Sequence, residues 1–146
     1  MDKKQDVQTI LKLYDLRRDE KLREAREWYF SEFSPTSAMD IIKLYRGGAS
    51  ASANFRMVVS YWDMAASFVL NGAIDEKIFL DANTEHIYVY AKIADHLEGI
   101  REIFQEPDMF LNLEKLCNLM PDFELKLENR KRLGELWKTE GQNGLS

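Results

Sequence analysis

Between Asn54 and Gly72 the chain reads NFRMVVSYWDMAASFVLNG. Wound as a helix, this stretch is apolar on almost every side, and a helix apolar all round has to be buried. The rest of the chain must therefore cover it. Its polar residues Arg56, Ser60, Asp63 and Ser67 follow one another at steps of four, three and four. That spacing places them in one narrow stripe along a 3.6-residue helix. The uninterrupted part, Met57 to Leu70, is 14 residues long and contains Asp63. It falls short of the roughly 20 residues that span a bilayer, so it reads as core.

Composition agrees with a folded helical protein. Of 146 residues, 45% are hydrophobic and 31% charged, with 7 Gly and 3 Pro, which argues against disorder. At this length one domain can bury a core without staples. The net charge of −5 is spread along the chain, and no segment reads as the basic face that nucleic acid requires. Cys117 is the only cysteine, which rules out an intrachain disulfide and a CxxC site and fits a reducing, cytoplasmic setting. The N-terminal MDKKQDVQTILKLYDLRRDE has no continuous apolar region and no small-residue cleavage site, so no secretory signal is expected.

Periodicity predicts helices around the central one. Val7, Ile10, Leu11 and Tyr14 mark a first helix over 4–17, and Leu22, Ala25, Trp28, Tyr29 and Phe33 a second over 20–33. Asp19 can cap the second, and Asp19 with Arg23 and Arg23 with Glu27 are spaced for surface ion pairs. Ser37 with Asp40 resembles a capping box for a short helix through Tyr45. The Gly/Ser/Ala-rich segment 46–54 lacks the GxxxxGK[ST] of a phosphate loop. It reads as a connection, with Ser50 or Ser52 as cap of the central helix. Asn71 and Gly72 suit a left-handed C-cap. Beyond lie a short helix from Asp75 to about Ala82 and a long one over 84–104. Pro107 suits the first turn of another, and a last amphipathic helix starts near Asp122, weakened by Gly134. Residues 140–146 are expected to fray at the end of a single domain spanning 1–146.

Chemistry finds little foothold. His86 and His96 are ten residues apart, too distant along one helix to share a metal, and each is expected at the surface or half-buried. A carboxylate-bridged di-metal bundle needs Glu-x-x-His steps, which are absent. Cys117 has no activating neighbours and should pack as a small hydrophobe. GxSxG, HExxH, GxGxxG and the kinase signatures do not occur. The basic run 129–132 is flanked by Glu124, Glu128 and Glu135, and Glu128 with Arg132 is a favourable helical pair, so it reads as a solvated face. No catalytic, cofactor-binding or metal-ligating residue is singled out, and no cofactor is implied. The remaining candidate is the stripe. Asp63 on so apolar a helix must face water or meet a partner, and Arg101 or Arg26 are the expected cations.

The run from Ala53 through Arg101, with its acid-bearing buried helix, the AsnGlyAlaIleAspGlu turn and the long helix after it, resembles an uncharacterised bacterial family of small helical proteins classed as a domain of unknown function. The upstream ArgArgAspGluLysLeuArgGluAlaArgGluTrp fits the same family. The resemblance spans roughly residues 17–105 and implies a fold without an assigned reaction. Other members often carry a membrane helix ahead of this domain; none is expected here.

The expectation is thus an all-α bundle of five to seven helices around residues 54–71, acting as a protein-interaction module that self-associates, without nucleic acid or a membrane span. The first and last helices are its interface candidates, because several wide amphipathic faces need covering. The alternative is a small-ligand or anion sensor, or a minor enzyme, on a polar seam of Arg56, Ser60, Asp63, Ser67 and Arg101.

Overall fold

A computed structural model of the chain describes residues 2–144, with side-chain burial through residue 136. All regular structure in it is helical. Among the described residues nine α-helices follow one another: α1 (Lys3–Arg17), α2 (Glu20–Ser31), α3 (Ala38–Arg46), α4 (Ser50–Leu70), α5 (Glu76–Ala82), α6 (Glu85–Ile93), α7 (Leu97–Phe104), α8 (Leu111–Asn118) and α9 (Phe123–Gly144). A 3-10 turn, Ala94–His96, joins α6 to α7.

The stretch that is apolar all round is the axis of the bundle, as its sequence requires. Phe55, Val58, Val59, Trp62, Ala65 and Ala66 of α4 are buried. Around them pack α2, α3, α5, α6 and α8. Large buried side chains from these neighbours, Tyr29, Ile41, Phe79, Ile93 and Leu113, join the same cluster. Each such aliphatic or Phe side chain contributes about 1.5–3 kcal/mol by leaving water.

Local signals set most boundaries. The Asp19 carboxylate accepts the N–H groups of Lys21 and Leu22 at 3.1 and 3.2 Å and starts α2. Ser37 Oγ accepts Asp40 N–H at 3.1 Å to start α3, and the Asp75 carboxylate accepts Ile78 N–H at 3.0 Å to start α5. At the end of α4, Gly72 adopts φ +79°. Ala73 N–H then reaches back to the Phe68 carbonyl at 2.9 Å, the geometry of a left-handed helix stop.

The chain is cut more finely than five to seven helices. The long helix expected over 84–104 is interrupted at Ala94–His96, and this lets its halves serve different neighbours. The first half packs on α9, α8 and α4, and the second on α3. Pro107 does not open a helix. Residues 107–110 form a turn, Phe110 takes a left-handed φ of 57°, and α8 begins only at Leu111. Nor does a serine cap α4. Its N-cap is Ala49, with no side-chain hydrogen bond, while Ser52 Oγ donates to the Tyr45 carbonyl at 2.7 Å and ties the end of α3 to α4. Of the tail expected to fray, the backbone is helical as far as Gly144, and residues 145 and 146 lie outside the described residues. The side chain of Trp137, assigned from sequence to the last amphipathic face, lies outside them too.

Candidate functional site

The stripe on α4 divides into two parts. Arg56 and Ser60 are exposed, and Ser60 Oγ donates to the Arg56 carbonyl. Ser67 Oγ donates to the Met64 carbonyl at 2.6 Å. Arg56 Nε donates to the Ser52 carbonyl at 3.3 Å, and its guanidinium lies 5.9 Å from the Tyr45 ring centre. These three side chains are thus directed at backbone of their own helix. Asp63 is half-buried and does something else: its Oδ1 accepts the Leu113 N–H at 2.9 Å.

Leu113 is the third residue of α8, and the N-cap of that helix, Phe110, has no side-chain acceptor. Asp63 supplies from α4 the cap that α8 lacks in its own sequence. The expected cation is therefore not its partner. Arg101 pairs with Glu114 at 3.1 Å and donates from Nε to the Met109 carbonyl at 3.0 Å. Arg26 pairs with Glu85 instead. A helix N-terminus meets the carboxylate with N–H donors and a partial positive charge, which removes the need for a guanidinium. Asp63 and Arg101 still act on one element: the first holds the start of α8, and the second grips Glu114 in its middle.

A second constellation centres on Glu85, which sequence reasoning passed over. Its carboxylate accepts Arg26 Nε at 3.1 Å and Trp62 Nε1 at 2.9 Å, joining α2, α4 and α6. Arg26 was legible as a candidate beside an aromatic patch, but its acid lies 59 residues away. The Arg17 guanidinium lies 5.1 Å from the Trp62 ring and 5.2 Å from the Tyr14 ring. Tyr61, next to Trp62, donates to the Leu13 carbonyl, and burial above all pushes its phenol up to about 12. On α6, Lys92 Nζ donates to the carbonyls of Tyr29 and Phe33 at 2.6 and 2.7 Å, so a cation closes the C-terminal end of α2.

His86 contradicts its expected place at the surface or half-buried. It is 0% exposed, with Trp62 and Phe79 ring centres each 5.8 Å away. The reason is its phase on α6, which points it at α4 and α5 while Tyr88 is only half-buried. Neither ring nitrogen has a hydrogen-bond partner among the described residues. Burial, then the nearby Arg130 charge, pushes its pKa down to about 4, so it is neutral near pH 7. His96 is half-buried, as expected. Cys117 is fully buried and packs as a small apolar group, and burial pushes its thiol up to about 12. Among the described residues no three His, Cys, Asp or Glu side chains converge as a metal-binding group.

The surface ion pairs are redistributed. Arg23 has no salt bridge with Asp19 or Glu27. In the basic run, Glu128 lies 3.6 Å from Lys131 rather than beside Arg132, and Lys131 also pairs with Asp95 at 3.0 Å. Arg132 bonds to Asn129 at 3.1 Å. Arg130 is half-buried, its guanidinium 4.7 Å from the Tyr88 ring.

Among the described residues, α1 carries a row of exposed apolar side chains. One face of that helix is anchored: Leu13 is buried, and the buried Asp6 carboxylate accepts Asp75 N–H at 3.0 Å. On another face Val7, Leu11 and Tyr14 remain 45%, 57% and 50% exposed. They stand at positions i, i+4 and i+7, a continuous stripe along the helix. Among the described residues no helix is long and apolar enough to cross a membrane. Neither a curated protein nor a solved structure matches the chain. A family match does cover residues 4–120, from the first turn of α1 to the end of α8, taking in the capped α8, the Glu85 centre and the exposed stripe. The chain belongs to the family described as Domain of unknown function (DUF4760).

Proposed function

We propose that this chain is a protein-interaction module that self-associates through α1, the occupant of the exposed stripe being a second copy of the same helix. The observation that carries the reading is the row Val7, Leu11 and Tyr14, about half exposed on a helix whose other face is already anchored. An apolar helix stripe left in water is an association surface.

The charges on α1 favour an antiparallel partner. Lys3 and Lys4 stand at its start and Asp15 near its end. Pairing centred between Val7 and Leu11 sets Lys3 opposite the second copy's Asp15 and Lys4 against its Tyr14 ring. A parallel arrangement would set lysines against lysines. Such pairing is isologous and closes as a dimer. A cytoplasmic setting accords with the lone buried thiol of Cys117. The sensor alternative on the seam has less support, because Arg56, Ser60 and Ser67 bond to backbone of α4 and Asp63 to backbone of α8.

Gel filtration with light scattering, run as a concentration series, tests the reading. The wild-type chain is expected to shift toward the dimer mass as concentration rises, and Leu11→Glu to remain monomeric with an unchanged helical circular dichroism spectrum. A wild-type chain that stays monomeric throughout, or a Leu11→Glu variant that dimerises equally well, overturns it.

A further inference from the structure

The corner between α1 and α2 gathers arginines that the linear sequence spreads over ten positions. Arg17, Arg18, Arg23 and Arg26, together with Tyr14, line a cleft of about 340 Å³. No acidic side chain is among its walls. Asp19, beside Arg18 in the chain, and Glu85, the partner of Arg26 in the cleft itself, are both engaged. The Asp19 carboxylate is taken up by the N–H groups of Lys21 and Leu22, and Glu85 by Arg26 and Trp62.

Among the described residues, one of the four guanidiniums has an ion-pair partner. Arg26 pairs with Glu85, whereas Arg17, Arg18 and Arg23 form no salt bridge with a described residue. Arg17 is held in place by the Tyr14 and Trp62 rings at 5.2 and 5.1 Å, and its Nε is buried without an acceptor among the described residues. A buried donor without an acceptor is uncommon in a folded protein, and the three guanidiniums of Arg17, Arg18 and Arg23, without an ion-pair partner among the described residues, repel one another. An oxyanion in the cleft would supply the counter-charge that Arg17, Arg18 and Arg23 lack.

We infer that the arginine cleft at the α1–α2 corner is a binding site for a phosphate or diphosphate group. Guanidinium forks match the tetrahedral oxygens of phosphate with paired N–H donors. Arg17, already oriented by its two aromatic neighbours, supplies the preorganised donor. The exposed Arg18 and Arg23 close on the anion from either side of the Asp19 turn, and Tyr14 offers an apolar wall to whatever carries the phosphate. The protein as a whole has a charge of −5, so a uniform surface would repel such a ligand; the attraction is local to this corner. The inference goes beyond self-association and does not depend on it.

Isothermal titration with pyrophosphate and with inorganic phosphate, against sulfate at matched ionic strength, tests the site. Arg18→Gln and Arg23→Gln are the informative variants, because both side chains are exposed and bear on no core contact. Pyrophosphate is expected to bind with saturation and more tightly than sulfate, and each variant to weaken it about tenfold, the usual worth of one charge-assisted hydrogen bond. Co-sedimentation with phosphatidic acid vesicles, with phosphatidylcholine vesicles as control, separates two sources of the same chemistry. Binding to phosphatidic acid that both variants abolish assigns the phosphate to a lipid headgroup; pyrophosphate binding without co-sedimentation assigns it to a soluble compound. Absence of saturable pyrophosphate binding, or equal affinity in the double variant, overturns the proposal.

Discussion

The carboxylate of Asp63 in α4 accepts the backbone N–H of Leu113 in α8 at 2.9 Å. The one acid on the central helix therefore serves as the N-terminal cap of a helix 50 residues further along the chain. Loss of a capping acceptor costs about 1 kcal/mol, against the 3–5 kcal/mol of a broken buried ion pair. Asp63→Ala is accordingly expected to lower stability by about 1 kcal/mol in a urea titration, and Asp63→Asn, which keeps an acceptor oxygen, by less. A loss above 3 kcal/mol for Asp63→Ala would contradict the capping role.

His86 makes stability depend on pH. Its pKa is about 4 in the folded chain against an ordinary value of 6.5. Between these two values the unfolded chain binds the proton and the folded chain does not, so stability falls as pH falls. The His86 contribution is complete above about pH 6.5, declines through that window, and levels off below about 4. The full change is on the order of 3 kcal/mol. Urea midpoints measured from pH 7.5 down to about pH 4.5 should therefore decline in the wild type and much less in His86→Leu, which also removes a buried polar ring with no partner. Equal slopes in the two proteins would exclude His86 as the source.

Two glycines in helices should respond in opposite directions to the same change. Alanine is favoured over glycine in a helix by about 1 kcal/mol. At Gly134 of α9 an added Cβ meets nothing within 4 Å, so Gly134→Ala is expected to stabilise by about that amount. At Gly99 of α7 an added Cβ would lie 2.9 Å from the Cβ of Ala38, where α7 packs on α3. The neighbour is a short, rigid side chain, and overpacking costs about 1–3 kcal/mol. Gly99→Ala is expected to destabilise despite its better propensity. Thermal melts of the two variants decide it, and a stabilised Gly99→Ala would refute the close approach.

What could be read along the chain was whatever depends on near neighbours. The 3.6-residue spacing of apolar side chains located α4 as the core, and Ser37, Asp19, Asp75 and Gly72 marked helix ends because caps act within a few residues. The absence of metal-ligand spacing and of phosphate-loop glycines was visible in the same way. Tertiary structure alone decided which distant groups meet. Asp63 found a backbone N–H rather than Arg101, Arg26 found Glu85, and His86 turned inward between Trp62 and Phe79. It also broke the helix over 84–104, since its halves pack on different partners. Each of these depends on how helices pair across tens of residues, and helical phase says which side of a helix is apolar without naming its neighbour. The four arginines of the α1–α2 corner show the same division. Their spacing was plain in the sequence, and only the turn at Asp19 folds them onto one cleft.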